Sequence, residues 1–95
     1  MKIFFNGGND EFLEENPMFI PIELISQNNL ITVEDLLKYI YLKEPRARES
    51  FYNNEGKLAN GTICLIDDID REIVEETVDL KKINKIVLLS TLHGG

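Results

Sequence analysis

Apolar side chains recur along the chain with two different periods, and the switches between them mark the elements. Ile3-Phe4-Phe5 is a short run suited to a pleated surface, and Asn6-Gly7-Gly8-Asn9-Asp10 behind it supplies residues that tolerate the positive φ of a chain reversal. A second extended segment is expected over residues 18–24. Pro17 and Pro21 cannot donate to a ladder, which puts that segment at an edge, paired to the first strand as an N-terminal hairpin. Val33, Leu36, Leu37, Ile40 and Tyr41 then fall at relative positions 0, 3, 4, 7 and 8, the one-faced pattern of a helix. Thr32 is placed to cap it, Glu34 and Asp35 suit its positive end, and Glu44-Pro45 stops it.

The period is lost over residues 43–60, read as a connection with a short helical turn around 46–51 and with Phe51 and Tyr52 pinning it to the core. Thr62-Ile63-Cys64-Leu65-Ile66 and residues 86–89 read as buried strands. Between them lies an acidic stretch whose apolar anchors are Ile69, Ile73, Val74, Val78, Leu80 and Ile83. The order ββαβ, irregular, β predicts an α+β fold: a small mixed sheet packed on one main helix. Because successive strand residues point to opposite faces, Cys64 and Ile66 oppose Ile63 and Leu65, and Ile86 and Leu88 oppose Val87 and Leu89. One helix covers one face. The other is either covered by the 43–60 connection or left open as a docking patch.

With 95 residues and 43% apolar content, one domain spanning 1–95 is expected. The net charge of −7 argues against a direct grip on nucleic-acid phosphates; it suits solubility first and a basic partner surface second. Cys64 is the only cysteine, so there is no disulfide framework, and its apolar strand favours a buried structural role. No apolar run is long enough to span a bilayer, and a cytoplasmic monomer is the expectation.

Two constellations invite chemistry. Asp68, Asp70 and Asp79 occupy the first, third and twelfth positions of a would-be calcium loop, but Ile73 stands where that loop needs Gly and Asp79 where it needs a bidentate Glu, so no metal is expected. His93 is the sole histidine and has no metal-binding or catalytic companion; it is expected to be read by a partner. No catalytic residue is assigned. What remains is the end of the chain, Gly94-Gly95, reached from an apolar strand and expected to form a tail over residues 91–95. A glycyl carboxylate has no neighbouring β-carbon, so it enters a narrow active site of another protein as that enzyme's substrate. A terminal Gly-Gly occurs by chance in roughly one chain in two hundred, so the pair acquires meaning from its context.

That context is Ser90-Thr91-Leu92-His93-Gly94-Gly95, which resembles the ending of the ubiquitin-related modifier family, eukaryotic sulfur carriers with a ubiquitin-like β-grasp fold. The strand and acidic turn over residues 61–70 and Gly7-Gly8 ahead of Glu11-Phe12-Leu13 are similar too, whereas Arg71 stands where the family often has Trp and Asn60 where it often has Pro. The resemblance implies that an activating enzyme with rhodanese-type sulfur transfer, using ATP and magnesium, adenylates Gly95 and converts it to a thiocarboxylate. Thr91, Leu92, His93 and Gly94 would be the tail that enzyme recognises. The sulfur would go through a transfer-RNA thiolase complex to the wobble uridine, and the same end would form isopeptide bonds with target-protein lysines. No cofactor would be held stably. Two alternatives stand beside this: a carrier for molybdopterin or thiamine synthesis, and a noncovalent β-grasp adaptor.

Overall fold

The computed structural model describes residues 1–74 and 78–91. Strand β1 (Lys2–Asn6) and strand β5 (Lys85–Ser90) run parallel at the centre of a five-stranded sheet. Strand β2 (Met18–Phe19) adds antiparallel to β1; β3 (Thr62–Ile66) adds antiparallel to β5, and β4 (Ile69–Asp70) closes the far edge, giving the order β2-β1-β5-β3-β4. The expected N-terminal pairing is therefore present, but its connection is more than a turn. Helix α1 (Glu11–Glu15) fills it, started by the Asp10 carboxylate, which accepts from the Leu13 amide, and held to the core by the buried Leu13.

The extended segment expected over residues 18–24 ends early. Only Met18 and Phe19 pair with β1; from Pro21 the chain turns into helix α2 (Ile22–Gln27). Proline suits an edge strand, yet its missing amide is equally harmless at the start of a helix, where the first amides have no intrahelical acceptor. Tertiary packing decides between them: Ile25 is buried in the core and Leu24 packs against it, which a helix allows and a continued strand would not.

The main helix α3 (Val33–Lys43) forms as the spacing predicts, burying Val33, Leu36, Leu37 and Ile40. Its start is a reciprocal cap: the Thr32 hydroxyl accepts from the Asp35 amide, and the Asp35 carboxylate accepts from the amides of Thr32 and Ile31, each at 3.0 Å. These backbone donors hold the Asp35 carboxyl below its ordinary value of 3.8. That depression contributes stability above pH 3.8, and the contribution is lost as the pH falls through the lower folded value. Thr32→Ala is expected to cost about 1 kcal/mol at neutral pH and to lower the melting temperature by about 5 °C, measurable by thermal unfolding.

The inward strand residues Ile3, Phe5, Cys64, Ile66, Ile86 and Leu88 meet the α3 stripe in one core. The connection over residues 43–60 closes over the same side. Helix α4 (Arg48–Phe51) sends Phe51 against Phe5, with ring centres 5.5 Å apart, and the Tyr52 hydroxyl donates to the Leu37 carbonyl at 2.6 Å. Arg48 lies over the Tyr41 ring and donates to the Tyr41 carbonyl, tying the connection to the end of α3.

Between β3 and β4 the acidic stretch makes a two-residue reversal, with Asp67 and Asp68 both at positive φ. The Asp67 carboxylate accepts from the amides of Asn84 and Lys85, and Asp68 pairs with the Lys85 ammonium at 2.9 Å, so these charges brace the entry to β5. Of the expected anchors, Leu80 and Ile83 are buried and Val74 and Val78 pack against the core, but Ile69 and Ile73 are 50% and 77% exposed. Both lie at or just past the edge strand β4, at the rim of the core.

Candidate functional site

The two faces of the sheet are unequal. Phe4, Ile63, Leu65, Val87 and Leu89 point away from the helices and are half-buried, and no described element packs over them, because the 43–60 connection joins the core on the opposite face. Register makes them contiguous: Phe4 is beside Val87, Val87 beside Leu65, and Leu89 beside Ile63. Lys2 and Lys85 share a register position at one end, Phe19, 63% exposed, extends the patch at the β2 edge, and Asp70 stands opposite Leu65. Among the described residues this face is therefore open and not covered by the 43–60 connection.

The patch leads directly to the end of the chain. Lys85, Val87 and Leu89 alternate outward along one strand direction, and Thr91 follows two positions, about 7 Å, beyond Leu89. Thr91 is exposed, and both its amide, at 3.0 Å, and its hydroxyl donate to the Gly61 carbonyl. Leu92, His93, Gly94 and Gly95 lie outside the described residues. Four residues beyond Thr91 span at most about 14 Å, so any active site that takes Gly95 must lie that close to Thr91, alongside the open face.

Elsewhere the titratable groups have structural roles. Burial pushes the Cys64 thiol up to about 11, and burial first, with the nearby Cys64 second, raises the Tyr52 phenol while its hydroxyl donates to Leu37. Neither is a nucleophile at neutral pH. Among the described residues no three Asp, Glu, His or Cys side chains converge on a metal-sized site, and no helix is long and apolar enough to cross a membrane. A concavity of about 460 Å³ lies beside the start of α3 and the Glu34–Arg71 ion pair, but it sits at the Ile66 end of β3, and the tail leaves at the Thr62 end.

Two contributors to the tail root were not legible in the sequence as such. Gly7 packs against the Ser90 carbonyl and Gly61 accepts from Thr91. In the sequence Gly7 reads as a turn residue and as part of the Gly7-Gly8 resemblance, and neither points to Ser90. Phe4 joins the open face, and the signal for it was present: it alternates with the inward Ile3 and Phe5.

A parallel central pair flanked by antiparallel arms, wrapped on one main helix and with its last strand ending at Ser90, is the β-grasp of ubiquitin-like proteins. The class is thus that of ubiquitin-like modifiers and carriers, which are handled by enzymes and are not enzymes themselves. Residues 1–95 match the family model Urm1 (Ubiquitin related modifier), and the chain belongs to that family. It is 38% identical over 96 residues to Ubiquitin-related modifier 1 of Encephalitozoon cuniculi, with 100% of both chains covered. Similarity also extends to Ubiquitin-related modifier 1 of Schizosaccharomyces pombe (29% over 97 residues, 100% of this chain and 98% of the relative) and to homolog 2 of Arabidopsis thaliana (28%, 94% and 93%). Family membership carries the general role of a ubiquitin-like sulfur carrier and modifier, served by an activating enzyme and directed to conjugation targets.

Proposed function

We propose that this chain carries sulfur on the carboxylate of Gly95. A carboxylate resists nucleophiles because its carbonyl carbon is electron-rich, so activation comes first. The activating enzyme uses ATP and magnesium to form an acyl-adenylate on Gly95, releasing pyrophosphate. The terminal sulfur of a persulfide on a rhodanese-type domain attacks the acyl carbon and expels AMP. A thiol then attacks the cysteine sulfur of the resulting acyl disulfide, forms a new disulfide with it and releases the thiocarboxylate. The groups that stabilise developing charge belong to the enzyme; this chain supplies a bare acyl end and a body that positions it.

Thr91, Leu92, His93 and Gly94 are the residues the enzyme reads on the way to Gly95, and the open face of Phe4, Leu65, Val87 and Leu89 is where the body docks. In the cytoplasm the sulfur passes to a transfer-RNA thiolase for 2-thiolation of the wobble uridine. A body with a net charge of −7 leaves the RNA contacts to the thiolase. The same activated end joins lysines of target proteins through isopeptide bonds.

The observation that supports this reading best is the placement of Thr91, hydrogen-bonded to Gly61 at the end of an uncovered apolar face, with four residues of reach beyond it. Incubation with the cognate activating enzyme, ATP and a persulfide donor is expected to exchange one terminal oxygen for sulfur, seen by mass spectrometry in the peptide that ends at Gly95. No adduct with an enzyme shown to be active on another carrier would favour a noncovalent adaptor.

A further inference from the structure

The chain leaves the sheet through a single peptide unit that is held at both ends. Because β1 and β5 are parallel, their last residues lie side by side: Asn6 is in register with Leu89, which brings Gly7 beside Ser90. Gly7 has φ +83°, and a Cβ placed on it would overlap the Ser90 carbonyl oxygen and stand 3.3 Å from the Ser90 carbonyl carbon and 3.4 Å from Leu89 Cδ1. On the other side, Thr62 is in register with Ser90, and the preceding residue, Gly61, accepts from the Thr91 amide. The Ser90 carbonyl and the Thr91 amide belong to the same planar group, so packing its oxygen on Gly7 and bonding its N–H to Gly61 fixes the plane.

We infer that Gly7 and Gly61 form an exit port that sets the direction in which the tail leaves the body, making Gly7 a positioning residue for activation of Gly95. This rests on the carrier reading above. The tail is too short to average out an error at its root: a tilt of about 30° over a span of about 14 Å moves the far end by about 7 Å. Misplacement by about 1 Å is already enough to cost a reaction about a hundredfold. Gly8 has a different task. A Cβ there would meet Ser50 Cβ at 2.9 Å and the Phe51 ring at 3.0 Å, so it seats α4 on the core.

The test compares Gly7→Ala with Gly56→Ala. Gly56 also has positive φ, 78°, but a Cβ there would make only ordinary contacts with the Tyr41 ring, at 3.5 Å and beyond, so the control carries the same backbone strain without a clash and away from the tail. Pyrophosphate release with the cognate activating enzyme is expected to show kcat reduced about tenfold or more for Gly7→Ala, with KM within about twofold, and both parameters near wild type for Gly56→Ala. Equal kcat values for the two variants would overturn the inference. Should Gly7→Ala fold poorly, Thr91→Pro removes the amide donor at an exposed position, while Thr91→Ala retains it. The proline variant is expected to lose about tenfold more kcat than the alanine variant, and equal losses would assign the effect to side-chain recognition and sink the port. Amide exchange separates this inference from the carrier reading. The Thr91 amide is expected to be protected in the wild type and in Gly56→Ala and unprotected in Gly7→Ala, whatever the enzyme does; an unprotected Thr91 amide in the wild type refutes the port even if Gly95 is thiolated.

Discussion

A chain lengthened by one alanine after Gly95 is expected to fold and dock as before and to yield no detectable acyl-adenylate. The extra residue moves the carboxylate by about 3.5 Å and puts a methyl group beside the reacting carbon, where the glycyl end has only hydrogen. Reacting groups must be held to within about 1 Å, and misplacement on that scale costs roughly two orders of magnitude in rate, so the displacement alone takes activation below detection. The body is untouched, because the described fold ends at Thr91 and its core lies in the strands and helices before it. The lengthened chain should therefore compete with wild-type chain for the activating enzyme at an unchanged inhibition constant. Pyrophosphate release reads the first effect and competition reads the second. Thiocarboxylate formation at the wild-type rate on the lengthened chain would refute the assignment of Gly95.

How far the sequence reveals this arrangement depends on whether a signal is local. Helix α3 is legible because its determinants sit within a dozen residues: an apolar stripe of period 3.6, Thr32 placed to cap it with Glu34 and Asp35 in the first turn, and Pro45 beyond the end. Helix α1 is not, since five residues holding one core side chain, Leu13, carry no period to read. Helix α2 is misread because Pro21 and its isoleucine neighbours suit an edge strand and a helix start equally, and only the burial of Ile20 and Ile25 decides. The acidic turn is legible as a turn, but the use of Asp67 to hold the amides of Asn84 and Lys85 is a contact between residues 17 and 18 positions apart. The open face could be read from strand alternation as one of two outcomes, since covering it depended on the path of the 43–60 connection. The tail port joins residue 7 to residue 90 and residue 61 to residue 91, and nothing in either neighbourhood announces the other.

Val87→Glu is expected to leave the fold intact and to raise KM for the activating enzyme about 30- to 150-fold, the equivalent of losing about 2–3 kcal/mol of docking energy. Val87 is the centre of the open face, in register with Phe4 on one side and Leu65 on the other, and it points away from the core that Ile86 and Leu88 fill. In the free protein the new carboxylate reaches water, so the cost to folding is limited to strand preference, about 1 kcal/mol. In the docked complex the same charge would be stripped of water among Phe4, Leu65 and whatever apolar surface the enzyme presents, without a partner to compensate it. The defect belongs to docking alone, so kcat at saturating carrier should return to the wild-type value; Thr91 and its contacts with Gly61 are unaltered. Lys38→Glu makes the net charge more negative by a larger step, but on the exposed side of α3. Its KM should stay within about threefold of wild type, as expected for a screened surface charge. An unchanged KM for Val87→Glu would mean that the body docks through another surface. A short tail then could not bring Gly95 to the nucleotide from this face, because about 14 Å of reach ties the docking site and the point of exit to the same end of the sheet.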